Sequence, residues 1–251
     1  MEMYGGFAGV YDRLMDDFDY ARWADYYLEL IARAGAEAAH ICDCGCGTGS
    51  MSIALAKRGA RITGVDDSVE MLEVASRKAR AQAQKITFVK QDMCALTLAR
   101  GVDAVIAACD GVNYLLSRER VRAFFTSAYR ALKPGGCIAF DISSRDKLER
   151  VGRGFFGEER EDVAYLWANA YDPGTRIVEM DLTFFIREAD GRYRRVRERH
   201  RQRAHDAEEL ANALQECGFV GIHIYGSMTF DAPGEGEERI HFAAVRPREE
   251  L

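Results

Sequence analysis

The stretch Ile41-Cys42-Asp43-Cys44-Gly45-Cys46-Gly47-Thr48-Gly49-Ser50 decides the fold of this chain. A short apolar run ends in an acid and is followed by three alternating glycines. Glycine has no side chain to keep the backbone away from a ligand, and a helix that begins at such a loop directs unpaired amide groups toward that ligand. The stretch therefore predicts the strand, loop and helix of a nucleoside-cofactor site, with Gly45, Cys46, Gly47 and Gly49 in the loop.

The spacing of the glycines distinguishes between cofactors. A dinucleotide site has the spacing G-x-G-x-x-G, which would put its third glycine at position 50, where this chain has Ser50. The observed G-x-G-x-G loop, preceded by Asp43, resembles that of the class I (Rossmann-like) S-adenosylmethionine-dependent methyltransferases. The resemblance implies S-adenosyl-L-methionine as cofactor and S-adenosyl-L-homocysteine as product. Asp43 would accept hydrogen bonds from an ammonium group or orient the loop.

The next strand predicts the ribose side of the site. Residues 60–66 are predicted to form a second strand that ends at Asp66, about twenty residues after the glycine loop, as a nucleotide-binding βαβ unit requires. Asp66 would hold the ribose hydroxyls, with Asp67 beside it. Ser68 is a capping residue for an amphipathic helix that runs from Met71 to about residue 83. In the family that the chain resembles, the position of Met71 flanks the adenine.

Three further predicted strands complete the cofactor half of the sheet: residues 86–89, 102–109 and 137–141, the last after the breaker cluster at 132–136. The resemblance places an acid on the adenine amino group and an apolar residue on the ring, and Asp92 and Met93 fit these roles beside Gln91. It also places the segment from Cys109 and Asp110 to Tyr114 beneath the transferable methyl group. We therefore expect an α/β fold with a Rossmann-like seven-stranded sheet.

The N-terminal segment resembles the opening of a group of stand-alone bacterial methyltransferases with the motifs Y-D-x-L-M and D-Y-x-x-W. The resemblance implies a helical lid over residues 1–35. Such a lid would bring Tyr11, Tyr20 and Trp23 toward the methionine end of the cofactor. The alternative is an ordinary amphipathic helix whose aromatic residues are buried in the core.

Residues 146–204 are predicted to form an antiparallel insertion of three strands: 163–171, 177–187 and a strand ending near 203. Asp190-Gly191 between the last two is typical of a two-residue hairpin turn. That turn would pair Ala189 with Arg192, and hence Asp181 with His200 and Thr183 with Glu198. The other face would set the alternating arginines of the last strand opposite Met180, Leu182, Phe184 and Ile186, and these arginines are Arg195, Arg197, Arg199, Arg201 and Arg203.

Three interpretations of this basic stripe are open: a solvated hairpin, arginine forks that grip an anionic substrate, or a surface for an RNA partner.

After the insertion the core resumes with a helix at 206–217 and strands at 220–227 and 239–245. The predicted organisation is a lid at 1–35, a cofactor-binding core at 36–145, the insertion over the active site at 146–204, and core completion at 205–251.

Composition narrows the class of protein. The 251 residues carry a net charge of −6, so the overall field repels a nucleic acid backbone. The chain has no apolar run near eighteen residues and no basic, apolar leader, which predicts a cytoplasmic protein without a membrane partner. Its seven cysteines include the alternating Cys42, Cys44 and Cys46, which suit a buried strand better than a metal site. We expect no metal and no disulfide, and either a monomer or a homodimer.

The predicted chemistry is in-line displacement of a methyl group by an oxygen or nitrogen nucleophile. The enzyme would contribute orientation and, where needed, removal of a proton. His200 is the leading candidate for the base because its ordinary pKa lies near neutrality, and Tyr11, Asp110 and Tyr114 are the others. The Asn/Asp-Pro-Pro-Tyr loop of DNA and protein amino-methylating enzymes is replaced here by Asp110-Gly111-Val112-Asn113-Tyr114.

Three functions follow. The first is a methyltransferase that acts on an oxygen or nitrogen of a small metabolite enclosed under the insertion. The second is an RNA (tRNA) methyltransferase that uses the arginine-rich hairpin. The third is a non-catalytic protein that binds S-adenosylmethionine.

Overall fold

A computed structural model describes Asp12 and residues 18–248 of the protein. Its larger sheet has seven strands, namely β1 His40–Cys44, β2 Arg61–Asp66, β3 Thr87–Lys90, β4 Val102–Ala107, β5 Leu132–Ser143, β10 Val220–Tyr225 and β11 Arg239–Val245. Their order in the sheet is β10-β11-β5-β4-β1-β2-β3. Strands β1 to β5 pair in parallel, whereas β11 lies antiparallel between β5 and β10. The prediction of a Rossmann-like seven-stranded sheet is confirmed.

Six helices of the described part surround the sheets, and side-chain caps fix where several of them begin. Ser68 accepts from the amide of Met71, and Ser117 and Ser144 cap two other helices in the same way. None of the helices within residues 18–248 is both long and apolar enough to cross a membrane. The helices are α1 Tyr20–Arg33, α2 Ser50–Ala56, α3 Val69–Ala81, α4 Arg118–Ala131, α5 Arg145–Val151 and α6 Ala207–Glu216.

The core lies on both faces of the seven-stranded sheet. On one face α4 and α6 pack against β4, β5 and β11, with Phe124, Phe140 and Phe242 fully buried. On the other face α1 and α2 cover β1, where Tyr27 and Leu30 are fully buried. Strands covered on both sides have no solvent-facing row, which is why β4 is apolar or small at nearly every position.

A second sheet of four antiparallel strands, the roof sheet, stands between α5 and α6 in the sequence. Its strands are β6 Phe155–Glu159, β7 Val163–Asp172, β8 Ile177–Arg187 and β9 Tyr193–Arg203. The sequence predicted three of these strands and missed β6. All five residues of β6 are exposed, so the strand shows no alternation of apolar and polar residues and forms by pairing with the edge of β7.

The predicted register of the β8–β9 hairpin is wrong by one residue. Asp181 pairs with Arg199, and His200 pairs with Met180 rather than with Asp181. The connection is a three-residue loop, since the amide of Glu188 donates to the carbonyl of Arg192 at 2.8 Å and Gly191 has a φ of 82°. The extra residue moves every partner of β9 by one position.

This shift exchanges the two faces of β9. His200 lies on the buried face with Met180, Leu182 and Phe184, while four arginines of the stripe lie on the exposed face, namely Arg195, Arg197, Arg199 and Arg201. Arg203, at the end of the strand, is instead buried against Glu209. The predicted opposition of these arginines to Met180, Leu182, Phe184 and Ile186 is therefore wrong.

Asn113 attaches the roof sheet to the larger sheet. Its fully buried amide nitrogen donates to the carbonyls of Ser143 at 3.1 Å and Arg203 at 3.0 Å, and its oxygen accepts from the amide of Ser143 at 3.0 Å. These bonds join the end of β5 to the end of β9. The roof sheet is consequently held above the carboxyl ends of the parallel strands, the edge at which open α/β sheets bind ligands.

Candidate active site

A cavity of about 900 Å³ lies between the carboxyl ends of the parallel strands and the buried face of the roof sheet. Cavities that take small ligands measure roughly 300–1,000 Å³, so this one has room for a nucleoside and a second small molecule. Its walls bring together most of the residues that the sequence predicted for the cofactor. Those that line it are Tyr20, Asp43, Gly45, Cys46, Gly47, Asp66, Asp67, Met71, Gln91, Asp92, Met93, Cys109, Asp110 and Tyr114.

The glycine loop presents bare backbone to this cavity. Gly45 and Gly47 have φ values of 68° and 52°, which residues with side chains rarely adopt, and a Cβ on either would meet no atom within 4 Å. That Cβ would stand in the space of the cavity. Gly49 has another role, since its Cβ would lie 2.9 Å from the Cβ of Ala75 and 3.0 Å from Cζ of Phe88. Gly49 lets helix α2 approach α3 and β3.

Asp66 holds the glycine loop and faces the cavity from the end of β2. One carboxylate oxygen accepts from the amide of Gly47 at 2.8 Å, and the other accepts from the amide of Ser68 at 2.9 Å. Burial raises the pKa of Asp66, while these backbone hydrogen bonds oppose the rise. A carboxylate has about four acceptor positions, so these bonds leave capacity to accept from a ligand hydroxyl. This geometry fits a ribose.

Asp43 is a nearly inaccessible carboxyl group in the cavity wall, with 2% of its surface exposed. Burial raises its pKa to about 7, and the nearby Asp66 adds to the rise, although the hydroxyl of Ser52 donates to it at 2.5 Å. A buried carboxylate is costly without a cationic partner. A ligand ammonium group at this wall would supply such a partner, which fits an amino acid moiety.

The predicted adenine side combines apolar and charged groups. Met71 and Met93 both line the cavity. Asp92 makes a bidentate ion pair with Arg120, at 2.8 and 2.9 Å, which lowers the pKa of Asp92. The side-chain amide of Gln91 donates to the carbonyl of Thr97 and accepts from the amide of Thr97. Arg120, which the sequence analysis did not single out, is thus part of this wall.

A buried ionic network underlies the loop after β4. Cys109 and Asp110 have left-handed φ values of 58° and 66°, and their amides donate to Asp141 at 2.8 and 3.2 Å. Arg239 forms ion pairs with Asp110 and Asp141. The hydroxyl of Tyr27 also donates to Asp141 at 2.6 Å. Burial favours the neutral form of Asp141, but Arg239, the largest opposing influence, leaves its pKa below the ordinary value.

Sequence reasoning missed this network because its members are far apart in the chain. Asp141 ends the strand predicted at 137–141, as Asp66 ends β2, although β5 continues to Ser143 in the structure. An acid at a predicted strand end was the only available indication. Nothing local in the sequence linked it to Arg239, which lies on β11 and becomes its neighbour through antiparallel pairing. The network also occupies Asp110 with an arginine, which disfavours Asp110 as a general base.

His200 and Tyr114 meet at the boundary between the two sheets. The hydroxyl of Tyr114 lies 3.3 Å from Nδ1 of His200. Both side chains line the cavity, and burial lowers the pKa of His200 to about 4. The imidazole is therefore neutral at pH 7. The structure thus brings two of the predicted catalytic candidates together although the hairpin register behind one of them was wrong.

The aromatic residues of the N-terminal region divide between two environments. Tyr20 lines the cavity. Trp23 is 8% exposed and packs against Phe18, Tyr27 and His241, so it belongs to the core, as the alternative interpretation had it. Tyr11 lies outside the described residues.

Comparisons with known proteins agree with this geometry. Residues 41–136 match the family model described as a methyltransferase domain. A protein of Geobacillus sp. (strain WCH70) that bears the name "Putative methyltransferase" is 37% identical over 245 residues, which cover 97% of this chain and 99% of the relative.

Solved structures extend the comparison. An S-adenosylmethionine-dependent methyltransferase from Clostridium acetobutylicum ATCC 824 has a TM-score of 0.85 at 29% identity, and the match covers 98% of this chain and 99% of that chain. CalS10, an amino pentose methyltransferase from Micromonospora echinaspora solved with S-adenosylmethionine bound, shares the fold with a TM-score of 0.74 at 22% identity over 98% of both chains. The match to the Geobacillus relative over nearly the whole chain, together with the glycine-loop site and these structures, shows that the chain belongs to the class I S-adenosylmethionine-dependent methyltransferases.

Proposed function

We propose that this enzyme transfers the methyl group of S-adenosylmethionine to an oxygen or nitrogen of a small molecule held beneath the roof sheet. One observation carries the proposal: a single cavity is bounded by the glycine loop on one side and by the buried face of the roof sheet on the other. Of the exposed arginines of β9, Arg199 also lines the cavity but is paired with Asp181 at 2.8 Å, and Arg195, Arg197 and Arg201 do not line it. A small acceptor therefore fits the cavity better than a polyanion does.

The cofactor-binding roles follow from the wall residues. Gly45 and Gly47 would admit the cofactor against bare backbone, Asp66 would accept from its ribose hydroxyls, and Asp43 would pair with its ammonium group. Met71 and Met93 would contact the base. S-adenosylmethionine supplies an electrophilic methyl group on a sulfonium when bound. The remaining contribution of the chain is orientation and exclusion of water, which is worth roughly 7–11 kcal/mol in well-oriented reactions.

His200 is the proposed proton acceptor, with Tyr114 orienting it. If Nδ1 of His200 donates its hydrogen to the oxygen of Tyr114, Nε2 keeps a lone pair for a substrate proton. CalS10, whose name gives an amino pentose as its substrate, supports a small-molecule acceptor for this fold. Residues 146–204 are proposed as the segment that encloses the acceptor. Of the lid predicted at 1–35, Tyr20 is proposed as the part that reaches the cavity, since α1 otherwise packs in the core.

Calorimetric titration with S-adenosylmethionine and S-adenosylhomocysteine tests the cofactor site. We expect micromolar binding of both, no binding of NAD, and a loss of at least tenfold in affinity in Asp66→Asn. Glu73→Gln, an exposed acid on α3, is the matched control and should bind as the parent does. Failure of both sulfur nucleosides to bind would contradict the proposal.

Methyl transfer from labelled cofactor to fractionated metabolites and to tRNA tests the acceptor class. We expect label in the small-molecule fraction, with rates that change little between 50 and 200 mM salt. Transfer to tRNA that falls steeply with salt would replace this proposal with the RNA hypothesis, because phosphate contacts release counterions. Tight cofactor binding with no transfer to either fraction would favour a non-catalytic binding protein.

A further inference from the structure

We propose that the acceptor is an uncharged aromatic hydroxyl compound of the phenol class, with its ring against the roof sheet and its hydroxyl at His200. This inference rests on the proposed function and names the substrate class of the same site. Three properties of the acceptor side of the cavity carry it: an apolar wall, charged groups that already have partners, and a neutral hydrogen-bonding pair.

The wall of the roof sheet is apolar and aromatic. Met180, Leu182 and Phe184 on β8 all line the cavity and are 8% exposed or less. Their cross-strand partners on β7 are Asn169, Trp167 and Tyr165, which line it too. Leu148 and Val151 of α5 extend this surface. Each Å² of apolar ligand surface buried here contributes about 25 cal/mol, so the wall favours a ring over a polyhydroxylated body.

The charged side chains on this side are largely paired. Glu158 accepts from Arg160 at 2.6 Å and from the hydroxyl of Tyr165 at 3.0 Å. Arg239 is held by Asp110 and Asp141. An ammonium acceptor would therefore have to break an existing pair or stay uncompensated, which is costly in a buried site. Lys147 lines the cavity from α5 and has no ion pair within 4 Å among the described residues, so an anionic acceptor is the competitor that the experiment must exclude.

Besides charged side chains such as Arg199, which is paired with Asp181, uncharged hydrogen-bonding groups lie beside the apolar wall. His200 pairs across the strands with Met180 and contacts Tyr114, and Gln202 is the next cavity-lining residue of β9. A neutral imidazole can accept a hydrogen bond from a hydroxyl without bringing a charge into the cavity. An amine that enters uncharged can attack the methyl group without a base, whereas a hydroxyl must give up its proton. A histidine at this position therefore suits a hydroxyl acceptor better than an amine.

The proton and charge balance of the step suits this environment. The hydroxyl oxygen forms a bond to the methyl carbon as its proton passes to His200, and the electron pair of the broken carbon–sulfur bond stays on sulfur. One positive charge is present before the step, on the sulfonium, and one after it, on the imidazolium. The cavity therefore holds the same net charge throughout the step.

A panel of ring compounds tests the acceptor class on the full-length enzyme with labelled S-adenosylmethionine. 4-Methylphenol, 4-methylbenzylamine and 4-hydroxybenzoate share the ring and differ in charge. We expect 4-methylphenol to be methylated at least tenfold faster than the amine or the benzoate. Preference for the amine would overturn the proposal, as would preference for the benzoate that is lost in Lys147→Met. No transfer to any phenol while the cofactor still binds would overturn it too, whereas loss of cofactor binding would contradict the proposed function instead.

His200→Gln tests the proton transfer separately from structure. A phenol that ionises readily needs less help from a base, so the variant should lose about 100-fold with 4-methylphenol and less than tenfold with 4-nitrophenol. Arg197→Gln, on the exposed face of the same strand, is the matched control and should retain both rates. Equal losses of His200→Gln with the two phenols would show a structural role and overturn the assignment of His200.

Discussion

The seven-stranded sheet and the roof sheet bound the same cavity, but their sequences constrain them differently. In β4 all six residues are buried, so both faces of the strand are core. In β8 and β9 buried and exposed residues alternate, so each face has its own environment. An error of one residue in the predicted end of a core strand therefore leaves the environment of its side chains unchanged. The same error in the roof sheet exchanges the face toward the cavity with the face toward solvent.

We expect the largest effect from the buried ion pairs. Removing one in the seven-stranded sheet should lower the free energy of unfolding far more than removing an exposed pair in the roof sheet. Arg239→Met should lower the free energy of unfolding by about 3–5 kcal/mol, because fully buried Asp141 would lose its cation. Arg201→Met removes the exposed pair to Glu179 on the roof sheet and should cost less than about 1 kcal/mol. Urea unfolding measures both. Equal costs would contradict the contrast between buried and exposed pairs.

Two glycines with left-handed φ, one in each region, should differ in their effect on cofactor binding. Gly47→Ala in the core loop and Gly191→Ala in the roof hairpin both force a side chain into left-handed φ, at roughly 1–2 kcal/mol each. Of the two, only Gly47 lines the cavity in which we propose that the cofactor binds. We expect S-adenosylmethionine affinity to fall about 100-fold, or roughly 2.8 kcal/mol, in Gly47→Ala alone. Calorimetry would contradict this if Gly191→Ala bound equally poorly.

The buried acid of the core predicts a dependence of stability on pH. Asp43 has a pKa of about 7 in the folded protein, above its ordinary value of 3.8, so the folded state holds the proton more tightly than the unfolded state does. The extra stability that the protonated Asp43 gives to the folded state is complete below pH 3.8 and is lost as the pH rises through 7. Asp43→Asn lacks this loss. Relative to the parent, it should gain about 2.6 kcal/mol between pH 5 and pH 8, as measured by thermal or urea unfolding without ligand.

For the exposed face of the roof sheet we predict the smallest effect. Arg195 and Arg197 have no ion pair within 4 Å among residues 18–248, and both are exposed. Replacing both with Gln should change the free energy of unfolding by less than about 0.5 kcal/mol and leave methyl transfer unchanged. A loss of transfer to tRNA in this double variant would instead establish the stripe as a nucleic acid surface.

How far sequence reasoning reached depends on whether a feature is local. The helix cap at Ser68, the glycine spacing and the acid at Asp66 each act over a few residues, and the structure has them together as expected. The position of Trp23 was left open because an amphipathic helix does not specify which of its aromatic residues faces a ligand. Strand β6 was not predicted from the sequence because its residues show no periodic pattern and its pairing depends on β7.

By itself the sequence determined the class of cofactor and the fold of the parallel sheet, because glycine spacing and buried apolar strands act through local backbone geometry. Tertiary structure alone decided which face of β9 meets the cavity and that Arg239 closes a buried network with Asp110 and Asp141. Both depend on pairing between distant segments. The three-residue loop that ends at Gly191 fixes which face of β9 meets the cavity. The antiparallel pairing of β11 with β5 brings Arg239 to Asp141. Such pairings form only when the packed molecule brings the strands together.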